Sequence, residues 1–530
     1  MSSISLQMSD KMSDVCLSQT GTDKDALDPY LEQLGLQIAS DGLHIQWAKG
    51  NRRHPRNWKM SRKIYDTSLV VFLELYTTAV STSGSTAAND AIASHEFEIR
   101  KELSIFLFVS LFVNASSFLL YLIGQAIGAI VLPPYSEAFG RKNLYIASTA
   151  LYSIACAVVA AVPSLAGVIV GRFLSGLVSA IPTTVVVGSI EDMFNSKDRV
   201  WVICVWAIVA NLGLVAGPIM STFITADLGW RWVFYIATIV TAVLAFVLLS
   251  IRESRPSLLL AREVATLRKI TNIDHLQAAN PDRVPDIRTY VRVALFRPIR
   301  LLFTELIVFV VSVMSGICVA LVYLFTEALP PIYEAFGFST RQACLPFLSL
   351  GLGMLLGLTT RYLDLRVINH HRRQGRPVLP EHKLIGFWIG TPLLAAGLWV
   401  FAWTIPAQVT NVHCVISILA LVFIGYGLNE VDYVLGGYLT DSYLSYAASG
   451  LAALSVVRAL LSAILPLVST PLFSSIGNNF SVSVLAGVAT IFCIVPPLFS
   501  RFGRDIRARS TFAKYSLRMY NEHSVDEDGL

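Results

Sequence analysis

Charged side chains inside apolar segments are the residues of this 530-residue sequence that could do chemistry. Glu74 stands in SLVVFLELYTTAVST, well inside an apolar run and without a cation next to it in sequence. An ionised carboxylate is costly in such surroundings, whereas a protonated one costs little. Glu74 could therefore bind and release a proton. The alternative is a permanent structural ion pair with Arg172 or Arg458.

Arg172, in GRFLSG (171–176), is a second charge in an apolar run. An intramembrane arginine usually faces a cavity or a partner, although it can also extend towards the membrane surface. Gly171, Ser175 and Ser179 form a row of small residues at i, i+4 spacing that allows close helix contact.

Further acidic residues lie near the ends of apolar runs. Glu305 begins one run and is as well suited to a gate or an interface as to a proton site. Glu430, Asp432 and Asp441 are clustered at the end of another, with Arg458 as a candidate partner. They form either a gate or a group of charges that lie among the lipid headgroups.

The elements that position these residues are predicted membrane helices. The chain is 54% hydrophobic and 15% charged, against about 25% charged for a soluble domain. About 20 apolar residues span the hydrocarbon layer as a helix, and only helices explain runs of this length. Twelve spans are predicted, at about 64–84, 110–136, 143–162, 165–189, 200–224, 231–250, 302–326, 343–360, 384–404, 412–435, 447–470 and 481–500.

The distribution of Lys and Arg predicts the orientation. Basic residues are concentrated before the first span, at 141–142, in the 252–300 loop, in the 361–383 loop and after the last span. The 252–300 loop alone has ten Lys/Arg against five Asp/Glu. Both termini and the central loop are therefore expected in the cytoplasm. The membrane is expected to be the plasma membrane, with the vacuolar membrane as the alternative.

The predicted fold is an all-α membrane protein of two six-helix halves. The divisions are a tail at 1–60, a first half at 61–251, a loop at 252–300, a second half at 301–500 and a tail at 501–530. Two related halves are a common transporter plan, with the substrate site between them near the midplane.

Residues 103–136 do not fit one span. They carry no charge over 34 residues, roughly 50 Å of helix at about 1.5 Å per residue. That is too long for one crossing and too short for two. An external helical extension, or residues that another transcript would lack, would account for the excess.

The joint LPPYSEAFGRKNLY (132–145) combines a turn with charges. Gly140 suits a tight turn, and Arg141 and Lys142 anchor it. Glu137 lies within ion-pair reach of both. Composition alone favours plain positive-inside anchoring plus a turn. That role needs no acid, whereas a reversible charge latch would. An exposed ion pair is worth only about 0–1 kcal/mol, which suits a contact that must open.

The ordered motifs resemble one family. PPYSEAFGRK, GRFLSG, NLGLVAGP (211–218), GWRWVFYI (229–236), ESRP (253–256), PEHKL (380–384), YLTDSY (438–443) and FGRDIRARSTFA (502–513) resemble the recurring blocks of the fungal major facilitator superfamily, in its twelve-span drug–proton antiporter branch. The resemblance covers about residues 47–512. RRHPRNW departs from the branch's pattern before the first span.

The resemblance implies roles for these residues. Glu74, Arg172 and Glu305 become proton-coupling candidates. A gating network would include Glu137, Gly140, Arg141, Lys142, Asp441 and Arg458. Gly213, Gly217 and Pro218 would form the antiporter motif, a closely packed and bent helix between the halves; generic small-residue packing fits the same spacing.

Aromatic and polar residues on spans 1, 5, 7 and 10 are candidates for the substrate cavity. They are Phe72, Tyr76, Asn211, Tyr323, Phe325, Tyr426 and Tyr433. Such residues suit a bulky apolar ligand with few polar anchors. Ordinary interfacial or lipid-facing aromatics are the alternative.

The resulting prediction is a proton-coupled exporter of a small amphipathic organic molecule, such as a secondary metabolite, toxin or drug. The alternatives are a proton-coupled importer or facilitator and, more remotely, a membrane enzyme or sensor. We expect no enzymatic activity, no cofactor, no metal and no nucleic-acid partner. The seven scattered cysteines predict no disulfide framework, and no phosphate-binding GxxxxGK[ST] motif occurs. The expected partners are the substrate, protons and lipid, with a monomeric chain.

Overall fold

Long helices, labelled α1 to α12 in chain order, form most of the computed structural model. It describes residues 30–38, 44–48, 50–93, 119–162, 164–271, 276–278, 296–374, 380–406, 412–443, 446–510 and 512–514. The first six helices are Met60–Ala93, Tyr121–Phe139, Lys142–Ala161, Leu165–Met193, Ser196–Leu228 and Trp230–Val247. The next six are Leu306–Glu334, Phe347–Arg373, Ile385–Ala402, Cys414–Tyr443, Ala447–Ile476 and Asn478–Phe492.

Ten helices in the described residues are long and apolar enough to cross a membrane, which confirms the all-α membrane prediction. These ten correspond to α3 to α12, so the structure does not reproduce all twelve predicted spans by this measure. The apolar part of α2 is short, Tyr121–Pro133, and residues 94–118 lie outside the described part of the chain. α1 is also not among the ten, and its second half carries a run of hydroxyl side chains.

The helices pair in the same way in each half. In the first half α1 packs on α5, α2 on α4 and α3 on α6. In the second half, the corresponding helices pair in the same order: α7 packs on α11, α8 on α10 and α9 on α12. Between the halves, α2 packs on α11 and α5 packs on α8.

Glycines allow the closest of these contacts. A Cβ at Gly176 of α4 would overlap the backbone of Tyr121 on α2, and one at Gly425 of α10 would overlap the backbone of Leu350 on α8. Close backbone approach lets helices associate in lipid, where burial supplies little driving force. A glycine therefore permits close backbone contact in the corresponding helix pair of each half.

A small subdomain joins the chain before α1 to the segment after α6. Strands β1 (Leu36–Ile38) and β2 (His44–Trp47) pair antiparallel, and β3 (Gln277–Ala278) adds in parallel to β2. The helix Pro256–Thr271 buries its apolar face against this sheet. The core residues are Leu31, Leu36, Ile45, Leu260, Val264, Leu267 and Leu276. We call the bundle end next to this subdomain the basic end.

Shorter helices lie at the bundle ends. They are Pro55–Asn57, Leu248–Ser250, Arg297–Thr304, Thr340–Ala343, Pro380–Lys383 and Val495–Arg509. The predicted last span, 481–500, runs over a break, because α12 ends at Phe492 and a new helix begins at Val495. Pro496 stands in the first turn of that helix, where a residue without an N–H is tolerated.

Candidate functional site

Glu74 is buried inside the first half. The residue is 1% exposed, and Thr183 of α4 lies against its carboxyl group. Gln125 of α2 donates to the Thr183 hydroxyl at 3.4 Å. Oxygen Oε2 of Glu74 has no hydrogen-bond partner among the described residues. A buried carboxyl in a neutral setting of this kind is most stable when it carries a proton.

Arg172 points into the first half rather than towards the bundle surface. Its Nη2 donates to the carbonyl oxygen of Ser81 on α1 at 3.2 Å. Its guanidinium carbon lies 4.7 Å from the Tyr121 ring centroid and 5.5 Å from that of Phe234. These contacts hold the cation by cation–π attraction and a backbone acceptor. Arg172 thus ties α4 to the same helix that carries Glu74.

The predicted antiporter motif packs on α1. A Cβ at Gly213 would lie 2.5 Å from the Leu75 carbonyl oxygen, and one at Gly217 would overlap Ala79 and Thr82. Hydroxyls of α1 donate to carbonyls of α5, in the pairs Thr78–Ala210 at 3.2 Å, Thr82–Leu214 at 3.0 Å and Ser83–Gly217 at 3.1 Å. The glycine face of α5 therefore meets α1, while Leu212 and Val215 lie near Gly351 of α8.

Polar contacts join the two halves from mid-bundle to the end opposite the basic end. Near the middle, Asn211 of α5 donates to Asn429 of α10 at 3.0 Å. Further out, the hydroxyls of Ser81 and Tyr323 are 2.8 Å apart. The remaining pairs are Thr222–Cys344 at 3.0 Å and the ion pair Asp227–Arg341. These contacts close the halves together at the end opposite the basic end.

Arg458 forms an ion pair with Asp432 rather than with Asp441. Its Nη2 lies 2.5 Å from Asp432 Oδ1, and its Nε donates to the Ser315 hydroxyl at 2.7 Å. Ser315 also donates to Asp432. Asp441 is nine residues further along α10, which at 100° per residue places it on the opposite helix face. Ser315, which sequence reasoning did not single out, completes this polar site on α7, α10 and α11.

A second ionic cluster is buried between α8 and α10. Arg361 contacts Asp364 at 2.5 Å and Glu430 at 2.6 Å. The ring of Tyr433 lies 4.3 Å from the guanidinium carbon. Sequence reasoning assigned Arg361 and Asp364 to the start of a basic loop. Their i, i+3 spacing on an extended helix was the available signal.

At the basic end, the joint after α2 binds groups of its own half. Gly140 has a φ of 96°, a left-handed conformation that favours glycine. The backbone N–H groups of Arg141 and Lys142 donate to Glu253 at 3.0 Å, and the Lys142 Nζ donates to the Leu249 carbonyl at 2.9 Å. The side chain of Glu137 lies outside the described residues.

Asp192 of α4 holds the Arg141 side chain in this joint. Arg141 Nη2 is 3.0 Å from Asp192 Oδ2, and Arg255 Nη1 is 3.7 Å from Asp192 Oδ1. All three side chains are largely buried. Asp192, Glu253 and Arg255 were not among the predicted site residues, and the ESRP block was the signal that could have found the last two.

The basic end of the second half is held by a similar set of ion pairs. Asp441 pairs with Lys383 at 2.7 Å, and Arg507 pairs with Glu381 at 2.5 Å. Glu305, at the start of α7, accepts from the Tyr443 hydroxyl at 2.9 Å. Glu305 thus joins the start of α7 to the end of α10 at the basic end.

The cavity candidates take different positions. Phe325 is fully buried and packs edge-on against Phe401, at 6.1 Å between centroids, within the second half. Tyr426 is 2.5 Å from the Thr360 hydroxyl. Tyr76 is half-buried, with a hydroxyl that has no partner among the described residues. Phe72 is 47% exposed. Asn211 and Tyr323 lie at the contact between the halves, as described above.

Comparisons with known proteins point to one family. The sequence profile of the Major Facilitator Superfamily matches residues 78–466. The MFS-type transporter penM of Penicillium rubens is 29% identical over 94% of this chain and 93% of its own length. The multidrug transporter TPO1_2 of Candida glabrata is 28% identical, over 88% and 78%. The efflux pump FUB11 of Gibberella fujikuroi is 30% identical, over 74% and 69%.

Solved structures share the fold. The partially occluded inward open conformation of the xylose transporter XylE from E. coli has a TM-score of 0.59 at 15% identity, over 83% of this chain and 98% of that one. The human organic anion transporter MFSD10 has a TM-score of 0.56 at 14% identity, over 81% and 99%.

Proposed function

Because this chain belongs to the Major Facilitator Superfamily, we propose that it exports small amphipathic organic molecules in exchange for protons by alternating access. Relatives named as efflux pumps and a multidrug transporter support the direction and the breadth of substrate. In this proposal the basic end faces the cytoplasm, as the excess of Lys and Arg there favours. A secondary metabolite, toxin or drug is the proposed cargo.

The burial of Glu74 is the observation that carries the proton-coupling proposal. The carboxyl lies among neutral groups of α1, α2 and α4, and its Oε2 has no partner in the part of the chain that the structure describes. Deprotonation there leaves a charge that the surroundings do not compensate. Proton release is therefore tied to a change that hydrates Glu74 or brings a cation to it.

α1 connects this carboxyl with the contact between the halves. Ser81 lies seven residues, about two turns, after Glu74 on the same helix. Its hydroxyl contacts Tyr323 of the other half, and its carbonyl accepts from Arg172. A shift of α1 on proton release would thus act directly on the contact that closes the halves.

Transport in inverted membrane vesicles tests the proposal. An imposed proton gradient should drive uptake of at least one member of a panel of amphipathic compounds. Glu74→Gln keeps the side-chain volume and removes the titratable proton. It should abolish gradient-driven uptake while substrate exchange without a gradient persists.

Glu191→Gln is the matched control, because Glu191 is a carboxylate at the surface of the same half. It should leave both activities unchanged. Normal gradient-driven uptake by the Glu74→Gln vesicles would contradict the coupling role of Glu74. If the proton gradient drives transport only in the opposite direction, the protein is an importer rather than an exporter.

A further inference from the structure

Arg361 lies between two carboxyl groups in the interior of the second half. Its Nη1 is 2.5 Å from Asp364 Oδ2, and its Nη2 is 2.6 Å from Glu430 Oε2. The three side chains are 6%, 7% and 1% exposed, in that order. Tyr433 covers one face of the guanidinium. The cluster is therefore shielded from water on the sides that these residues occupy.

The charges of this cluster do not balance when both acids are ionised. One guanidinium then faces two carboxylates. Oδ1 of Asp364 and Oε1 of Glu430 have no hydrogen-bond donor among the described residues. Two carboxyl groups that share a buried site cannot both ionise readily.

We propose that Asp364 and Glu430 share one proton beside Arg361, so that this cluster is a second proton-binding site of the transporter. The inference deepens the proposed function, on which its role in transport rests. The other ionic contacts discussed above have at least one cation for each carboxylate: Asp432 with Arg458, Asp441 with Lys383, Glu381 with Arg507, and Asp192 with Arg141 and Arg255.

The neighbouring groups supply no further free positive charge within the described residues. They are Cys204 and Asn211 on α5, Thr360 on α8, Lys383 before α9, and Tyr426, Asn429 and Tyr433 on α10. Lys383 already pairs with Asp441 at 2.7 Å and is partly exposed. The remaining side chains are neutral. A proton on one of the two acids would compensate the second carboxylate.

Two glycines make room for the acids. A Cβ at Gly386 of α9 would lie 2.5 Å from an Arg361 nitrogen, and one at Gly357 of α8 would lie 2.7 Å from Glu430 Oε1. The same Gly357 Cβ would lie 2.7 Å from Asn429 Nδ2. The carboxyl cluster is thus built into close helix packing.

The cluster also adjoins a contact between the halves. Asn429 precedes Glu430 on α10 and accepts from Asn211 of the first half at 3.0 Å. This contact must change if the halves rock against each other. Proton occupancy at Glu430 and the closure of the halves are therefore linked through adjacent residues.

Infrared titration of the full-length protein in nanodiscs tests the proposal, because protonated carboxyl groups absorb apart from carboxylates. At neutral pH the wild type should show a protonated-carboxyl band from this cluster. Glu430→Gln leaves Asp364 alone with Arg361, and Asp364→Asn leaves Glu430 alone with it. Each remaining pair is balanced, so both variants should lose the part of the band that comes from this cluster, while the part from protonated Glu74 remains.

Loss of this part of the band in both variants supports the shared proton; loss in one variant alone, or in neither, overturns it. Asp441→Asn is the control on the same helix, because Asp441 has its own lysine, and it should leave the band unchanged. Arg361→Gln should add a second protonated carboxyl. The readout needs no transport, so failure of the exporter proposal would appear separately, in the vesicle measurements with Glu74→Gln.

Discussion

Thr82 donates its hydroxyl to the carbonyl oxygen of Leu214 at 3.0 Å, which links α1 to α5. In a regular helix the N–H four residues later would bind that carbonyl. Here the residue is Pro218, which has no N–H. The threonine of one helix therefore replaces the hydrogen bond that the proline of the other removes.

Thr82→Val should lower the free energy of unfolding by about 1–3 kcal/mol, because it leaves a buried carbonyl without a donor. Thermal unfolding of the purified protein in one detergent measures the change. Pro218→Ala restores an N–H in α5, so the double variant should recover most of the loss.

Thr241→Val provides the control for this measurement. Its hydroxyl is buried but donates to a carbonyl of its own helix, Ala237, at 2.6 Å. That carbonyl keeps a backbone donor when the hydroxyl is lost. Equal destabilisation by the two threonine variants would contradict the special role of the Leu214 carbonyl.

Gly217→Ala should destabilise the protein, because its Cβ would overlap the backbone of α1 at Ala79. Overpacking of this kind costs about 1–3 kcal/mol. Gly487→Ala in α12 is the matched control, because nothing lies within 4 Å of an added Cβ. It should stabilise α12 by up to about 1 kcal/mol. If the two variants shift the unfolding midpoint in the same direction by the same amount, the tight packing of α1 on α5 is contradicted.

Asp192→Asn should be strongly destabilising, by about 3–5 kcal/mol, because it leaves Arg141 and Arg255 buried without their carboxylate. The neighbouring Glu191 is a matched control. Its side chain is 59% exposed and 3.2 Å from Arg199, so Glu191→Gln should cost only about 0–1 kcal/mol. Chemical unfolding in mixed micelles measures the free energy of unfolding of both variants. Similar losses in the two would contradict the buried ion pairs of Asp192.

Sequence reasoning located most helices, because apolar runs of about 20 residues have no other stable form in lipid. It could not choose partners for clustered charges. Arg458 had three acids of α10 as candidates, and only helix geometry distinguishes the face of Asp432 from that of Asp441. The Arg361 cluster depends on packing between α8 and α10, which no local pattern encodes.

The small subdomain before α1 escaped sequence reasoning for a related reason. Its core joins Leu36 and Ile45 to Leu260, Val264 and Leu267, more than 200 residues further along the chain. The i, i+4, i+7 spacing of the last three predicts an amphipathic helix. Nothing in that spacing identifies the sheet that covers it.

His54 makes the attachment of this subdomain sensitive to pH. Burial, with the charges of Arg56 and Lys63, lowers the pKa of His54 from 6.5 to about 4. Its Nδ1 accepts from the Arg56 N–H at 3.2 Å, and its ring packs edge-on against Trp47. Protonation would turn this acceptor into a donor and add a third positive charge.

The folded chain therefore binds fewer protons at His54 than the unfolded chain does, and local stability should be full above about pH 6.5 and fall as the pH drops towards 4. Hydrogen exchange of residues 44–57, corrected for intrinsic rates, should show this loss of protection. His54→Asn keeps an acceptor for the Arg56 N–H without titrating, so its protection should stay constant over the same range. His413→Asn is the control, because His413 Nδ1 accepts the Val415 N–H in a similar way, at 3.3 Å, at the other end of the bundle. A pH dependence that persists in His54→Asn would assign the effect to another group.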